Sequence, residues 1–125
     1  MVTTALYRVL RKINQALHGL SLPQYVILTE VASEVDPVTT SVLLPRLGMT
    51  SAMLSMVTKE LVAKGLLQVE RRKEDERTVG ISITESGSQL LTKVPELPLK
   101  PEKLRRLESL LEELDEELAT KPSEV

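Results

Sequence analysis

The apolar positions at the start of the chain recur every three or four residues, which is the spacing of an amphipathic helix. Thr3 or Thr4 can cap this first helix, and Gly19 is expected to end it. Its apolar stripe consists of Leu6, Val9, Leu10, Ile13 and Leu17. The next helical pattern begins only after the glycine.

A second helix is predicted from residue 21, because Ser21 and Gln24 have capping-box spacing and Pro23 falls near the start. Its inward face is expected to consist of Tyr25, Leu28 and Val31 or Ala32.

A third helix can be capped by Thr39 or Thr40 and reaches Leu47, where Gly48 makes the turn. Pro45 falls inside it. Since an internal proline costs ~3 kcal/mol in an ordinary helix, we expect this helix to tighten or stop early.

A fourth helix is predicted from the cap Thr50 to about Lys64, before Gly65. Its inward stripe consists of Leu54, Val57 and Leu61, with Thr58 at the edge. The opposite face carries Ala52, Met56, Lys59 and Ala63, with Ser51 and Ser55 along one flank. This outward face is the candidate recognition surface.

Two alternating segments follow, and they predict a β-hairpin. Leu67 and Val69 form the first strand, whereas Val79, Ile81 and Ile83 form the second. The connection from residue 72 to residue 77 is polar throughout, so it is too hydrophilic to bury. Thr84 then caps a short fifth helix through Lys93. A helix beside a basic hairpin is how a winged helix grips duplex DNA.

A proline-rich linker is predicted over residues 95–100, and Pro101 opens a last helix. Its leucines repeat at alternating spacings of three and four over two heptads: Leu104, Leu107, Leu111, Leu114 and Leu118. The predicted organisation is therefore a DNA-binding domain over 1–94, the linker, a dimerisation helix over 101–120 and a disordered tail over 121–125.

Several short motifs of the hairpin region resemble the MarR family of transcriptional regulators. They are Gly65-Leu66-Leu67, Glu70-Arg71-Arg72, Asp75-x-Arg77 and Ile83-Thr84-Glu85-x-Gly87, preceded by Leu20-Ser21-x-x-Gln24 and Leu43-x-x-x-Leu47-Gly48-x-Thr50. The resemblance covers roughly residues 15 to 92, with Asp75-x-Arg77 as its strongest element. It implies a mainly α fold with a small β-hairpin wing, namely a winged helix-turn-helix with N- and C-terminal dimerisation helices. The single leucine helix after the wing also resembles small archaeal winged-helix regulators, a rival label that likewise implies a dimer on duplex DNA.

Composition narrows the function further. The 125 residues have no Cys and one His, which excludes disulfides, thiolate metal sites and multi-histidine metal sites. No apolar run approaches a membrane span or a signal peptide, so we expect a cytoplasmic protein without membrane contact. Neither a nucleophile–base constellation nor a phosphate-binding glycine loop is present, so the chain is expected not to be an enzyme and to need no cofactor. With two Tyr and no Phe or Trp, RNA is not an expected partner.

The net charge is −2, but it is unevenly distributed. Residues 1–100 hold 12 Lys or Arg and 10 Asp or Glu, a balance of +2, whereas residues 101–125 hold 4 and 8, a balance of −4. This distribution permits DNA binding by the first part of the chain.

The residues expected to contact DNA fall into two groups. Phosphate contacts are assigned to the hairpin residues Arg71, Arg72, Lys73 and Arg77, followed by Arg46 and the helix start at Thr50 and Ser51. The family resemblance assigns Arg77 to the minor groove or its phosphates, with Asp75 orienting it. Base reading is assigned to Ser51, Ala52, Ser55, Met56 and Lys59 in the major groove. Because Ala and Met can contact thymine methyl groups, we expect a preference for sites that contain A and T.

Dimerisation is assigned to the two terminal helices, through Leu6, Leu10, Ile13 and the five leucines of the last helix. The last helix is basic at Lys103, Arg105 and Arg106 and acidic from Glu112 to Glu117, so an antiparallel partner would pair opposite charges. We therefore expect a homodimeric regulator of double-stranded DNA that acts as a repressor. The resemblance adds a small aromatic effector, for which no site residues can be assigned.

An alternative function stays open at this point. Met53 and Met56 could bind a partner protein, in which case the chain would be a winged-helix interaction module that has lost DNA recognition.

Overall fold

The computed structural model describes residues 1–71 and 79–120, and it shows six helices and one antiparallel hairpin within them. In chain order the elements are α1 (Val2–Gln15), α2 (Leu22–Ala32), α3 (Thr40–Leu47), α4 (Ser51–Ala63), β1 (Leu67–Arg71), β2 (Val79–Ile83), α5 (Glu85–Lys93) and α6 (Pro101–Thr120). The predicted fold class, mainly α with a small hairpin wing, is confirmed.

The chain divides into two compact units after Pro95. The first contains α1 to α5 with the hairpin, and the second contains α6. The division falls close to the start of the predicted linker. The predicted tail at 121–125 lies outside the described residues. Among those residues, none of the helices combines the length and the apolar character that a bilayer crossing needs.

The core of the first unit is formed mainly by α2, α3, α4 and the hairpin. Its fully buried side chains include Ile27 and Leu28 of α2, Leu43 of α3, Leu54 and Leu61 of α4, and Leu67 and Ile81 of the strands. The stripe predicted for α4 is confirmed, since Leu54, Val57, Thr58 and Leu61 are all buried. The stripe predicted for α2 was partly wrong, because Gln24 and Ile27 are buried there and Tyr25 is only partly covered.

The hairpin pairs Leu67 with Ile83 and Val69 with Ile81. This register follows from the apolar alternation, because both pairs lie on one face of the two strands. No pattern in the sequence predicted a further bridge on the other side of β2. There Val38 N donates to Ile81 O and Ile81 N donates to Val38 O, both at 2.8 Å. The loop between α2 and α3 is thereby fixed to the hairpin.

Two helices differ from the expectation, α1 at both of its ends and α3 in its interior. Helix α1 ends at Gln15 and not at Gly19. The N-cap of α1 is Met1, without a side-chain hydrogen bond, so neither Thr3 nor Thr4 caps it. Helix α3 does not stop early at Pro45; it continues to Leu47 and ends at Gly48, whose φ of 63° is left-handed. The proline removes a single backbone donor, which in a regular helix would bond to the carbonyl of Ser41. Because Ser41 is exposed, water can donate to that carbonyl instead.

Candidate nucleic-acid interface

Helix α4 separates a buried apolar face from an exposed face along its whole length. All five residues assigned to base reading lie on the exposed face: Ser51, Ala52, Ser55, Met56 and Lys59. Met56 keeps 57% of its surface exposed, and Met53 beside it keeps 36%. The structure therefore brings the five predicted residues together on one solvent-facing helix surface.

The start of α4 is fixed by its cap. Thr50 Oγ1 accepts a hydrogen bond from Met53 N at 3.1 Å, and Leu54 N donates to Thr50 O at 3.0 Å. The amides of Ser51 and Ala52 belong to the first turn, where a helix has no internal acceptors for its N–H groups. Thr50 is exposed and its hydroxyl proton is not used by the cap, so it can donate outward.

The hairpin is joined to the end of α4 by Thr84. Its Oγ1 donates to Gly65 O at 2.6 Å and accepts from Gly87 N at 3.1 Å, while its own N donates to Leu66 O at 3.1 Å. Gly87 packs so closely that an added Cβ would clash with Leu66 O and lie 2.7 Å from Ile83 Cγ1. These contacts hold the base of the hairpin at a defined place relative to the outward face of α4.

A second contact at the end of α4 was not predicted from the sequence. Lys64 Nζ donates to Gln24 Oε1 at 3.2 Å, and the same oxygen accepts from Ser21 N at 3.0 Å. The buried Gln24 therefore completes the predicted capping box and also connects α2 to the end of α4. The capping-box spacing and the family resemblance both pointed to Gln24, but nothing in the sequence pointed to Lys64 as its partner.

Arg46 lies on α3 within reach of two carboxylates of the α2 region. Its Nη1 is 2.8 Å from Glu34 Oε1 and 3.5 Å from Glu30 Oε2. The hydrogen bond that Arg46 donates to Glu34 raises the pKa of Arg46 above its ordinary value, and Glu30 adds to this, because both carboxylates favour the charged guanidinium. The predicted phosphate ligand is therefore engaged by acidic side chains in the free protein. Glu30 and Glu34 were not among the predicted site residues.

The remaining predicted phosphate ligands of the hairpin are Arg71, at the end of β1, and three residues of the connection between the strands, which also holds Asp75, the predicted partner of Arg77. Arg72, Lys73, Asp75 and Arg77 lie outside the described residues, and the backbone of Arg71 pairs with Val79 at the end of the ladder. Their assigned roles stay predictions.

The residues assigned to dimerisation lie on apolar stripes that are largely uncovered. On α1, Leu6 and Leu10 are exposed and Ile13 is partly covered. On α6, Leu104 and Leu107 are partly covered, whereas Leu111, Leu114 and Leu118 are exposed. A groove of about 610 Å³ runs along the second unit beside these leucines, lined by Leu97, Leu104, Leu107 and Leu111 with Glu108, Glu112 and Asp115.

Comparison with known proteins gives consistent matches. A family model described as the transcriptional regulator SarA/Rot matches residues 9–94. The organic hydroperoxide resistance transcriptional regulator of Bacillus subtilis (strain 168) is 32% identical over 80 residues, which are 64% of this chain and 54% of that protein. The chain thus spans about half the length of this curated relative.

Solved structures share the fold, and two of them contain DNA. One is reduced AbfR bound to DNA, with a TM-score of 0.73 and 24% identity over 95% of this chain and 90% of that one. The other is a point mutant of MarR from E. coli complexed with operator DNA, with a TM-score of 0.67 and 18% identity over 90% of this chain and 92% of that one. They confirm the predicted winged-helix fold and the resemblance to MarR-type regulators.

The family model includes α2 to α5 and both strands, together with about half of α1. Its members are transcriptional regulators, which agrees with the prediction that this protein is not an enzyme. Over residues 9–94 the chain belongs to the SarA/Rot family of transcriptional regulators, built on the winged-helix fold of MarR-type proteins.

Proposed function

We propose that this regulator binds double-stranded DNA as a homodimer, with α4 in the major groove and the hairpin connection on the minor groove and its phosphates. The observation that carries the proposal is the outward face of α4, which is exposed from Ser51 to Lys59 while the opposite face is buried. A helix held this way can enter a major groove without leaving the core. MarR and AbfR, which share the fold, have been captured on DNA.

Base reading is assigned to the chemistry of the exposed face. Ala52 and Met56 offer methyl groups for thymine, and Ser51 and Ser55 offer hydroxyls that can donate or accept. Lys59 supplies the one cation among these residues. Since no arginine is present among them for bidentate contact with guanine, we propose a preference for sites that contain A and T.

Phosphate binding is assigned mainly to the connection between β1 and β2. Arg71, Arg72, Lys73 and Arg77 would displace counterions from the backbone, with Asp75 orienting Arg77. This proposal rests on the sequence and on the family resemblance. The fixed hairpin base supports it, because Thr84 ties the strands to the end of α4. Thr50 and the first amides of α4 add contacts at the start of the reading helix.

Dimerisation is assigned to α1 and α6, because both carry exposed apolar stripes and opposite charge. Helix α1 holds Arg8, Arg11 and Lys12 without an acidic residue. Helix α6 holds seven Asp or Glu against three Lys or Arg, with the bases near its start and most of the acids near its end. Antiparallel pairing of two α6 helices would place each basic start beside an acidic end.

The proposed mode of action is repression through occupancy of an operator. A small aromatic effector stays a prediction from the family resemblance.

A salt titration of the full-length protein on a labelled random-sequence duplex tests DNA binding. We expect log Kd to rise linearly with log salt, and Arg77→Gln to reduce the slope by about 0.9 for each phosphate contact that is lost. Lys93→Gln, an exposed charge at the end of α5, is the matched control and should leave the slope unchanged.

Base preference is tested in the same material by selecting duplexes with the wild type and with Met56→Ala. The selected bases should change while the salt slope does not. Absence of any salt-dependent binding by the wild type would reject DNA recognition. It would leave the exposed Met53 and Met56 to a protein partner, the second candidate function.

A further inference from the structure

Arg46 and the two carboxylates beside it form a small charged cluster that joins α3 to the end of α2. Glu30 lies near the end of α2 and Glu34 follows the helix, and both reach the same nitrogen, Nη1 of Arg46. The three side chains keep between 35% and 41% of their surface exposed. One cation is shared by two anions, so the cluster carries a net charge of −1.

The position of this cluster along the chain makes its charge important. Arg46 is the only Lys or Arg between Lys12 and Lys59, and the same interval contains Glu30, Glu34 and Asp36. The segment that forms α2, α3 and the first half of α4 therefore has a net charge of −2. DNA-binding surfaces are usually positive, yet here the one cation is already neutralised by carboxylates.

We propose that Glu30 and Glu34 compete with DNA phosphates for Arg46 and so limit the sequence-independent part of DNA binding. The inference rests on the proposed DNA-binding function and adds a role for two acidic residues, which is to restrain the affinity that phosphate contacts provide. A phosphate that approached Arg46 would also approach two carboxylates, so the cluster as a unit repels it. The hydrogen bond of 2.8 Å to Glu34 is charge-assisted and would have to be shared or broken.

Removal of the acidic charges should therefore release Arg46 to bind phosphate. The gain would be the same for every DNA sequence, because a phosphate contact carries no sequence information. Because the gain is equal on an operator and on other duplexes, the ratio between their affinities would not change, while binding to both would become tighter. The natural pair of glutamates keeps the sequence-independent part of binding low and leaves selection to the outward face of α4.

The test is a set of four full-length proteins: wild type, Arg46→Gln, Glu30→Gln/Glu34→Gln and the triple variant. Each is titrated with random-sequence duplex by fluorescence anisotropy across a salt series. In the glutamine pair the slope of log Kd against log salt should steepen by about 0.9 for each Arg46 that reaches a phosphate. Over a fourfold increase in salt this makes affinity fall by a further factor of about 3.5 per contact.

The triple variant should return to the wild-type slope, and Arg46→Gln alone should leave that slope unchanged. Asp36→Asn is the matched control, since it removes an exposed acidic charge from the loop after α2 without touching Arg46. It should raise affinity at low salt only slightly and leave the slope unchanged. Of the single variants, Glu34→Gln should have a larger effect than Glu30→Gln, because its oxygen lies closer to Nη1.

Three results would overturn the inference. The glutamine pair could keep the wild-type slope, its gain could survive in the triple variant, or Arg46→Gln alone could reduce the slope, which would mean that Arg46 already binds phosphate. If the wild type shows no salt-dependent binding at all, the proposed function fails and this inference fails with it. Circular dichroism of all four proteins separates a changed contact from a changed fold.

Discussion

Helices α4 and α6 carry similar apolar repeats but bury them to opposite extents. In α4, Leu54 and Leu61 retain at most 1% of their surface, whereas in α6 Leu114 retains 49% and Leu118 retains 66%. Full burial of a leucine stabilises a protein by about 1.5–3 kcal/mol relative to its exposure. The repeat of α4 is therefore satisfied inside one chain, while most of the stabilisation available to the repeat of α6 is still unused.

The two helices also differ in the charges on their exposed surfaces. The exposed face of α4 is nearly uncharged, as suits a surface that meets base edges. The leucine stripe of α6 is flanked by charges segregated between its two ends, as suits pairing with an antiparallel copy. A similar apolar period thus indicates that both segments are helical, but it does not indicate which surface covers each apolar stripe. The partner is indicated by the charges beside the stripe and by whether the remainder of the chain covers it.

The largest contrast should come from truncating one leucine in each helix. Leu61→Ala should lower the free energy of unfolding by about 2–5 kcal/mol, because it leaves a cavity in a fully buried site. Thermal unfolding should show this loss at every protein concentration. Leu111→Ala should instead weaken self-association, with a roughly tenfold increase in the dimer Kd if it costs about 1.4 kcal/mol at the interface.

Light scattering over a dilution series measures the second effect. Ser109→Ala, an exposed position of α6 outside the leucine stripe, is the control and should leave association unchanged. A wild-type protein that is monomeric at micromolar concentration would remove the explanation for the exposed leucines.

A smaller loss is expected at the junction between α5 and the hairpin base. In Gly87→Ala the new methyl group would clash with Leu66 O and lie 2.7 Å from Ile83 Cγ1. Since a backbone oxygen cannot rotate away, the strands or α5 must shift, at a cost of about 1–3 kcal/mol. Chemical denaturation measures this cost. Ser88→Ala, an exposed residue of the same helix, should change stability by less than about 0.5 kcal/mol.

Because the hairpin is proposed to contact phosphates, Gly87→Ala should also weaken DNA binding by a variant that remains folded. Unchanged stability would mean that the hairpin base moves more freely than its hydrogen bonds to Thr84 indicate.

Local features of the fold were predictable because their causes lie within a few residues. Ser21 with Gln24, Thr50 with Met53 and Thr84 with Gly87 are cap pairs three residues apart, and all three form as their spacing predicts. The buried stripe of α4 follows from its period alone. Once the buried stripe is known, the remaining residues of α4 must lie on its outward face. The five candidate residues could therefore be predicted to share one surface.

The contacts that were missed join residues distant in the sequence. Lys64 and Gln24 are 40 residues apart, and Arg46 and Glu34 are 12 apart. Val38 bridges Ile81 through one pair of residues, too short a segment to show alternation. A partial signal existed for Arg46, because Glu30 and Glu34 are four residues apart in the sequence and α2 contains no basic residue. A pair of acids without a local partner indicates a cation elsewhere in the fold.

The smallest effect is expected at the polar edge of the buried α4 stripe. Thr58 Oγ1 is buried and has no hydrogen-bond partner within the described part of the chain. A buried hydroxyl without a partner costs about 1–3 kcal/mol, and valine has nearly the same shape without the hydroxyl. Thr58→Val should therefore raise the free energy of unfolding by about 1 kcal/mol.

Thr58→Ser separates the two contributions, since it keeps the hydroxyl and removes the methyl group, and it should destabilise the protein. A Thr58→Val protein less stable than the wild type would show that the hydroxyl is satisfied, for instance by a buried water. In that case the hydroxyl at the edge of the stripe would contribute to stability through its hydrogen bond. Stabilisation would instead show that α4 keeps an unsatisfied group facing its own core, and that its apolar contacts are strong enough to hold it there.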